Sequence, residues 1–346
     1  MNTMPPVAVS QPRVWIGLDV SKATIDACIL RPTGATHYKQ VANSPTGYAQ
    51  LKRWVNQCAP ATIQHFCLEA TGAYSTAIAE WLVDTTQFVS VINPARMRYF
   101  ALAQQQGNKT DRADARLIAL FCCKEAPAPW RAAAPAIRLL VALVRRLQAV
   151  QTLLAQEKTR LAVPHQCDEV IGSIQSTLAF LAAEVQRLQT QLRTHINTHD
   201  TLRRDMRLLQ SIPGIGEVAA WSVLAELPDV LQFSSAEAVA AYAGLAPREH
   251  RSGSSVQKKT RLSKRGNPRL RKALYFPAVS AVVWNPVVKA QYERLRQAGK
   301  AKMVALAAAM RKLLMICYGV LKHQQPFRSD WPVAPGARNR SPIAAA

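Results

Sequence analysis

The chain has 346 residues, 49% of them hydrophobic, which is enough apolar material for two or three cored domains and excludes a disordered or fibrous protein. Its 44 Lys and Arg stand against 21 Asp and Glu, a formal net charge of +23, and an excess of that size points to a polyanion, nucleic acid before an anionic membrane surface. The seven cysteines are odd in number and contain no Cys-x-x-Cys pair, which argues for reduced thiols and against a disulfide framework or a zinc ribbon.

The start of the chain has no apolar secretory core, and the longest charge-free run, Ala273 to Val288, is broken by Pro277 and Pro286. A cytoplasmic protein without a membrane span is the expectation. Val14-Trp15-Ile16-Gly17-Leu18-Asp19-Val20 is apolar and β-branched and reads as a buried strand that carries one acid. A charge in such a strand is costly unless it is paired or bound to metal. Ala27 to Leu30 and Tyr38 to Ala42 follow at hairpin spacing, with Pro32 and Gly34 in the first turn. Three such strands, the first ending on an acid, resemble the opening of an RNase H-like α/β sheet. Sugar kinases and other actin-like ATPases open alike but place a Gly-rich phosphate loop after the acid. Here Ser21-Lys22-Ala23-Thr24 follows, which disfavours an ATPase.

Thr46 to Val55 reads as a helix, and His65-Phe66-Cys67-Leu68-Glu69 as a second buried strand closed by an acid. Open α/β sheets gather ligands at the carboxyl ends of parallel strands, so Glu69 stands where a ligand would be. A helix through Leu82, a strand Phe88 to Ile92 and a helix through Phe100 lead to a break at Gly107, then to Asn108-Lys109-Thr110-Asp111-Arg112-Ala113-Asp114-Ala115. On a helix, Asp111 and Asp114 project from one face about a turn apart and could share a divalent cation. Asp111 could instead be a helix N-cap. Lys109, Arg112 and Arg116 would soften the repulsion and hold a phosphate nearby. Four acids, Asp19, Glu69, Asp111 and Asp114, could converge on two Mg²⁺ ions of the kind that serve phosphoryl transfer. His65 reads as a packed histidine, not a ligand.

Beyond Pro127 and Pro129 the composition changes. Leu140, Leu143, Leu147, Val150, Leu154 and Leu161, then Ile171, Ile174, Leu178, Leu181, Val185, Leu188 and Leu192, follow coiled-coil spacing. Pro164 marks a turn between two helices, so the pair is either an intramolecular hairpin or a dimerisation arm. Leu208 to Glu217 then reads as helix, glycine turn and helix, a helix-hairpin-helix whose Gly214 and Gly216 would present backbone N–H groups to a phosphate. A plain packing turn is the alternative. From Arg248 the chain turns strongly basic, with Arg251, Lys258, Lys259, Arg261, Lys264, Arg265, Arg269, Arg271 and Lys272 against the single acid Glu249. Inside this stretch Ser252, beside Gly253, is either a nucleophile among cations or a loop serine that touches phosphate. Tyr275 lies in an apolar run and reads as core.

In order, G-L-D-V-S-K, L-E-A-T-G, N-K-T-D-R-A-D-A, S-I-P-G-I-G, A-G-L-A-P, R-S-G-S-S and S-K-R-G-N-P-R-L-R closely resemble the IS-one-ten family of insertion-sequence transposases. The resemblance implies an α/β RuvC-like DEDD domain over 12–128 and a mainly α C-terminal serine transposase domain over 201–327, while the periodicity puts a helical coiled-coil hairpin over 134–200 and the Pro-rich tail over 328–346 reads as disordered. It implies that Asp19, Glu69, Asp111 and Asp114 bind Mg²⁺, two ions per site, and that Ser252 is joined transiently to DNA. It also implies double-stranded donor and target DNA, a bridge RNA that pairs with both, and dimers that join into tetramers, the serine domain of one subunit completing the acidic site of another. A metal-dependent junction endonuclease using water as nucleophile is the competing function, and a non-catalytic nucleic-acid-binding module the third.

Overall fold

The computed structural model of the protein describes residues 13–85, 87–104, 110–164, 167–227, 229–252 and 256–329. They fall into two compact units divided between Ala132 and Ala133.

The first unit is a five-stranded sheet of order β3-β2-β1-β4-β5, formed by β1 (Arg13–Val20), β2 (Thr24–Leu30), β3 (Thr36–Ala42), β4 (Ile63–Glu69) and β5 (Phe88–Ile92). β1, β2 and β3 pair antiparallel, whereas β1, β4 and β5 run parallel. A strand covered on both faces must be apolar on both, and its period of two sorts the residues. Ile16, Leu18, Ile25, Ile29, Phe66 and Leu68 point to one side, where α1 (Pro45–Cys58) and α2 (Ala73–Asp84) cover them with Leu51, Val55, Ile78 and Leu82. On the opposite side, under α3 (Pro94–Ala103) and α4 (Asp111–Glu125), a smaller cluster joins Cys67, Ile92, Met97, Ile118, Phe121 and Cys122, with Trp15 against it. Asp19, two residues on from Gly17 and four from Trp15, belongs to this second face.

The second unit opens with α5 (Pro135–Leu161) and α6 (Asp168–Asn197), long helices packed along one another as a hairpin. Their facing residues, Leu140, Val144, Leu147 and Val150 against Leu181, Val185, Leu188 and Leu192, are buried. The hairpin is not insulated from the later helices. The same core continues into α7 (Asp200–Gln210), α8 (Glu217–Glu226), α9 (Ala236–Tyr242), α10 (Pro268–Ala273), α11 (Tyr275–Trp284), α12 (Pro286–Gln297) and α13 (Lys302–His323). By length and composition α13 could cross a membrane. Here it is a core helix that packs against α7, α9, α11 and α12, burying Ala309, Leu313, Leu314 and Cys317. Tyr275 packs partly buried against this core, as its apolar run implied.

Between α9 and α10 lies an element that the sequence reading did not place: an antiparallel pair, β6 (Pro247–Ser252) and β7 (Val256–Leu262). Strands are usually recognised by one apolar face, and Pro-Arg-Glu-His-Arg-Ser paired with Val-Gln-Lys-Lys-Thr-Arg-Leu has none. Residues 330–346, most of the expected tail, lie outside the described residues, as does Lys109.

Candidate active site

The site of the first unit is built by sheet register. Leu18 and Leu68 are partners in the parallel β1–β4 pair, so Asp19 and Glu69, the next residue of each, stand side by side at the carboxyl edge of neighbouring strands. Both are partly buried. Across the antiparallel β1–β2 pair, Asp19 lies opposite Asp26, and directly opposed side chains share a face.

Helix α4 reaches this edge because two positions allow it. Gly17 has no side chain, and a Cβ there would meet the Ala115 carbonyl oxygen at 2.1 Å and the Ala119 amide nitrogen at 2.3 Å. Ala115 and Ala119, one turn apart, are themselves small and fully buried. The helix therefore lies directly on β1, and its first turn carries Asp111 and Asp114. Its N-cap is Thr110, whose hydroxyl accepts the Ala113 N–H at 3.2 Å. Asp111 is thus the first helical residue and not the cap, which leaves its carboxylate exposed and free of that duty.

The four acids identified in the sequence are brought together electrostatically. The carboxyl of Asp19 is raised from 3.8 to about 6, first by burial, then by repulsion from Asp114, Asp111, Asp26 and Glu69. Repulsion of this kind around one partly buried carboxylate is what a hard cation relieves. The acids do not close into a cage, since among the described residues no three acidic, histidine or cysteine side chains form an ion-holding group. A hard divalent cation that keeps several of its waters needs only one or two carboxylates, together with substrate phosphates.

Asp26 was missed in the sequence. It is 2% exposed, accepts hydrogen bonds from the Tyr38 hydroxyl and from Gln40 Nε2 at 3.0 and 3.2 Å, and is raised by burial, with Asp111 adding to the rise and Gln40 opposing it. The Arg112 guanidinium lies over the Tyr38 ring at 5.0 Å, tying the first turn of α4 to the same group. An acid interrupting Ile25-Asp26-Ala27-Cys28-Ile29 was the available signal. His65 is a packed residue, as expected: it is 1% exposed, bonded through Nε2 to Ser90 Oγ at 2.9 Å and set edge-on to Phe88.

In the second unit, Ser252 ends β6 opposite Val256, at the end of the strand pair away from Pro247 and Leu262; residues 253–255, Gly253 among them, lie outside the described residues. Arg251 pairs in register with Gln257, and Lys258 with His250, so the strand positions of Arg251, Lys258 and Lys259 all fall within the hairpin. Arg261, Lys264, Arg265, Arg269 and Lys272 are exposed. Arg271 is different: its guanidinium donates to the carbonyls of Ala243 at 2.9 Å and Lys264 at 3.3 Å, so it holds the base of the hairpin.

That base is a clasp of backbone turns. Gly266 has φ 136° and so close an approach that a Cβ would meet Tyr242 O at 2.2 Å. Asn267 caps α10 and donates to Glu226 Oε2 at 3.1 Å, while Arg145 of α5 grips the same buried carboxylate with a two-pronged contact at 2.9 and 3.2 Å. The motifs A-G-L-A-P and S-K-R-G-N-P thus meet in space, and Glu226 and Arg145 are the supports that sequence spacing hid.

The turn between α7 and α8 carries Gly214 and Gly216. Gly214 has φ 100° and lies against Ala281 of α11, where a Cβ would come within 2.7–2.9 Å, so packing alone demands glycine. Gly216 is the open N-cap of α8, with nothing near its missing Cβ.

Residues 16–163 match a transposase family of the IS110 DEDD type, and residues 206–293 match the family described as Transposase IS116/IS110/IS902. The pilin gene-inverting protein of Moraxella lacunata is 32% identical over 327 residues, covering 91% of this chain and 98% of that protein. The chain belongs to the IS110 family of transposases. The pilin gene-inverting protein of Moraxella bovis is likewise 32% identical, over 323 residues with the same shares of both chains. The insertion element IS110 protein of Streptomyces coelicolor is 27% identical over 165 residues, 48% of this chain and 40% of that one. Membership makes the chain a recombination enzyme that acts on DNA, and the DEDD class of its first unit suggests use of a divalent metal.

Proposed function

We propose that this IS110-family transposase cuts and rejoins donor and target DNA through a covalent bond between Ser252 and a DNA phosphate, with Asp19, Glu69, Asp111 and Asp114 as the metal-binding acids of the reaction. The observation that supports the acidic half of this reading is the crowding at Asp19, whose carboxyl is raised first by burial and then by Asp114, Asp111, Asp26 and Glu69, acids far apart in the chain that belong to α4, β2 and β4. Mg²⁺ bound there, two ions per site, would supply Lewis-acid activation of the scissile phosphate.

The chain's own residues divide the remaining work. Ser252 Oγ loses its proton and bonds to phosphorus as the P–O3′ bond breaks, and the departing 3′ oxygen leaves as a hydroxyl. The 3′ hydroxyl of the exchanged strand then attacks the phosphoserine, a new P–O3′ bond forms, and the serine hydroxyl is restored. One phosphodiester is consumed and one is made, so no nucleotide triphosphate is required. The basic side chains around the hairpin, Arg261, Lys264, Arg265, Arg269 and Lys272 with Arg251, Lys258 and Lys259 on its strands, offset phosphate charge. Gly216, and Gly214 beside it, present the α7–α8 turn to a backbone as a helix-hairpin-helix would.

A bridge RNA transcribed from the element would choose both DNA partners by base pairing, with the protein holding backbones. Dimers would join as tetramers, with α5 and α6 as the coiled-coil arm and Ser252 serving the acids of another subunit. Two experiments test this reading. Sequencing the nucleic acid that co-purifies from cells carrying the whole element should return one defined RNA, and heterogeneous or absent RNA would contradict guidance. Ser252→Ala should abolish strand exchange while nucleic-acid binding persists, whereas cleavage that continues in this variant would return the reading to a nuclease that uses water.

A further inference from the structure

Where α6, α7 and α8 meet, a cleft of about 210 Å³ lies outside both the acidic crevice and the basic hairpin. Its floor is apolar, made of Trp221 and Met206, which are 1% and 7% exposed. Its rim is cationic: Arg193 from α6, with Arg203 and Arg207 from α7, against the single carboxylate of Glu217.

The three arginines are held differently. Arg193 is fixed, gripping Glu217 with a two-pronged contact at 2.9 and 2.7 Å and lying over the Trp221 ring at 5.7 Å. It closes one wall and neutralises the Glu217 carboxylate that lines it. Arg203 pairs with Asp200, but that carboxylate's side chain is 88% exposed, and a contact so open to water is worth little and is readily exchanged. Arg207 is exposed, and among the described residues no carboxylate is paired with it. Arg203 and Arg207 are four apart on α7, so they project from one face about a turn apart.

We infer that this cleft seats a backbone phosphate of a nucleic-acid strand, with the Arg203 and Arg207 guanidiniums taking its non-bridging oxygens. The inference rests on the nucleic-acid reading above and extends it to the α6 and α7 side chains beside the α7–α8 turn. Planar guanidiniums match phosphate geometry with paired donors. A cleft this small admits a phosphate and its sugar but not a protein helix. Met206 and Trp221 close the floor while the charges stay at the rim. Contacts of this class fix the position of a strand and read no sequence.

The test uses the full chain carrying Arg203→Gln and Arg207→Gln, with a double Arg→Lys variant as control. Fluorescence anisotropy with a labelled DNA duplex and, separately, a labelled RNA hairpin gives affinity against salt. The glutamine variant should bind at least one probe about tenfold more weakly at low salt, and its log K against log salt slope should be shallower by about 1 to 2. The lysine variant should keep most of the slope, a rescue that a purely structural role for these side chains would not give. Loss confined to the duplex assigns the strand to DNA, and loss confined to the hairpin assigns it to RNA. A glutamine variant with parental affinity and slope on both probes overturns the inference while leaving the nucleic-acid reading intact, provided the parent's slope is steep. A parent with a flat slope overturns both.

Discussion

Replacing Gly17 by alanine probes how the acidic crevice is assembled. The added Cβ would stand 2.1 Å from the Ala115 carbonyl oxygen and 2.3 Å from the Ala119 nitrogen, both part of the α4 backbone and unable to swing aside as a side chain would. Restoring ordinary contact requires α4 to withdraw by roughly 1 Å, and overpacking of this kind destabilises by about 1–3 kcal/mol. The roughly 0.5–1 kcal/mol by which alanine exceeds glycine in a strand offsets part of that. The same withdrawal carries Asp111 and Asp114 away from Asp19 and Glu69. A misplacement of about 1 Å lowers a reaction that depends on aligned groups by roughly 100-fold. Urea unfolding reports the first effect, and the cleavage rate on DNA bearing the element's ends reports the second. Binding to the same DNA serves as the internal control, because the basic hairpin belongs to the other unit and should hold its affinity. Cleavage at the parental rate, with stability within about 0.5 kcal/mol of the parent, would refute the idea that the approach of α4 over Gly17 sets the acids.

Asp19 gives a pH prediction. Its folded carboxyl titrates at about 6 against an ordinary 3.8, so between those values the folded chain holds a proton that the unfolded chain releases. The metal-free protein should therefore gain about 1–2 kcal/mol from this group as pH falls from 7 to 4, seen as a rise in Asp19-dependent stability relative to Asp19→Asn. Mg²⁺ must displace that proton, so its affinity, followed by calorimetry, should increase as pH rises through 6. Asp19→Asn should raise the Tm of the metal-free protein at pH 7.5 and abolish any further rise on adding Mg²⁺; a lowered Tm would contradict the repulsion assigned to Asp19. Arg145→Ala would strand the buried Glu226 carboxylate and should destabilise the second unit by about 3 kcal/mol, measured by urea unfolding, with Arg145→Ala/Glu226→Gln recovering part of the loss. Recovery by the double variant that is no better than the single would mean that the pair is not coupled.

The sheet was legible because β1, β4 and β5 are apolar, β-branched runs, and because strands buried on both faces tolerate an acid only where something answers it. Asp19 and Glu69 were therefore conspicuous. Asp111 and Asp114 could be placed on one face by helical spacing alone, although the sequence could not say that Thr110 rather than Asp111 caps the helix. Asp26 was hidden because its partner is set by register, Asp19 opposite Asp26, and register is a property of two strands at once. Gly17 was read only as part of a strand, since nothing local tells which helix will come within contact of it. The β6–β7 pair escaped because its basic residues erase the alternation by which strands are recognised. Glu226 escaped for another reason: its partners Arg145 and Asn267 are 81 and 41 residues away in the chain. At Gly214 both readings of the turn predicted glycine, and the contact with Ala281 supplies a packing reason that needs no ligand.

The central claim is the covalent serine, and peptide mapping tests it most directly. The protein is incubated with Mg²⁺, its co-purified RNA and DNA bearing the element's ends, quenched in denaturant, digested and analysed by mass spectrometry. The account predicts a peptide that spans Ser252 and carries a DNA phosphate, lost in both Ser252→Ala and Asp111→Asn. Cleaved DNA with free phosphate ends and no linked peptide, or a DNA adduct on any residue other than Ser252, would contradict it.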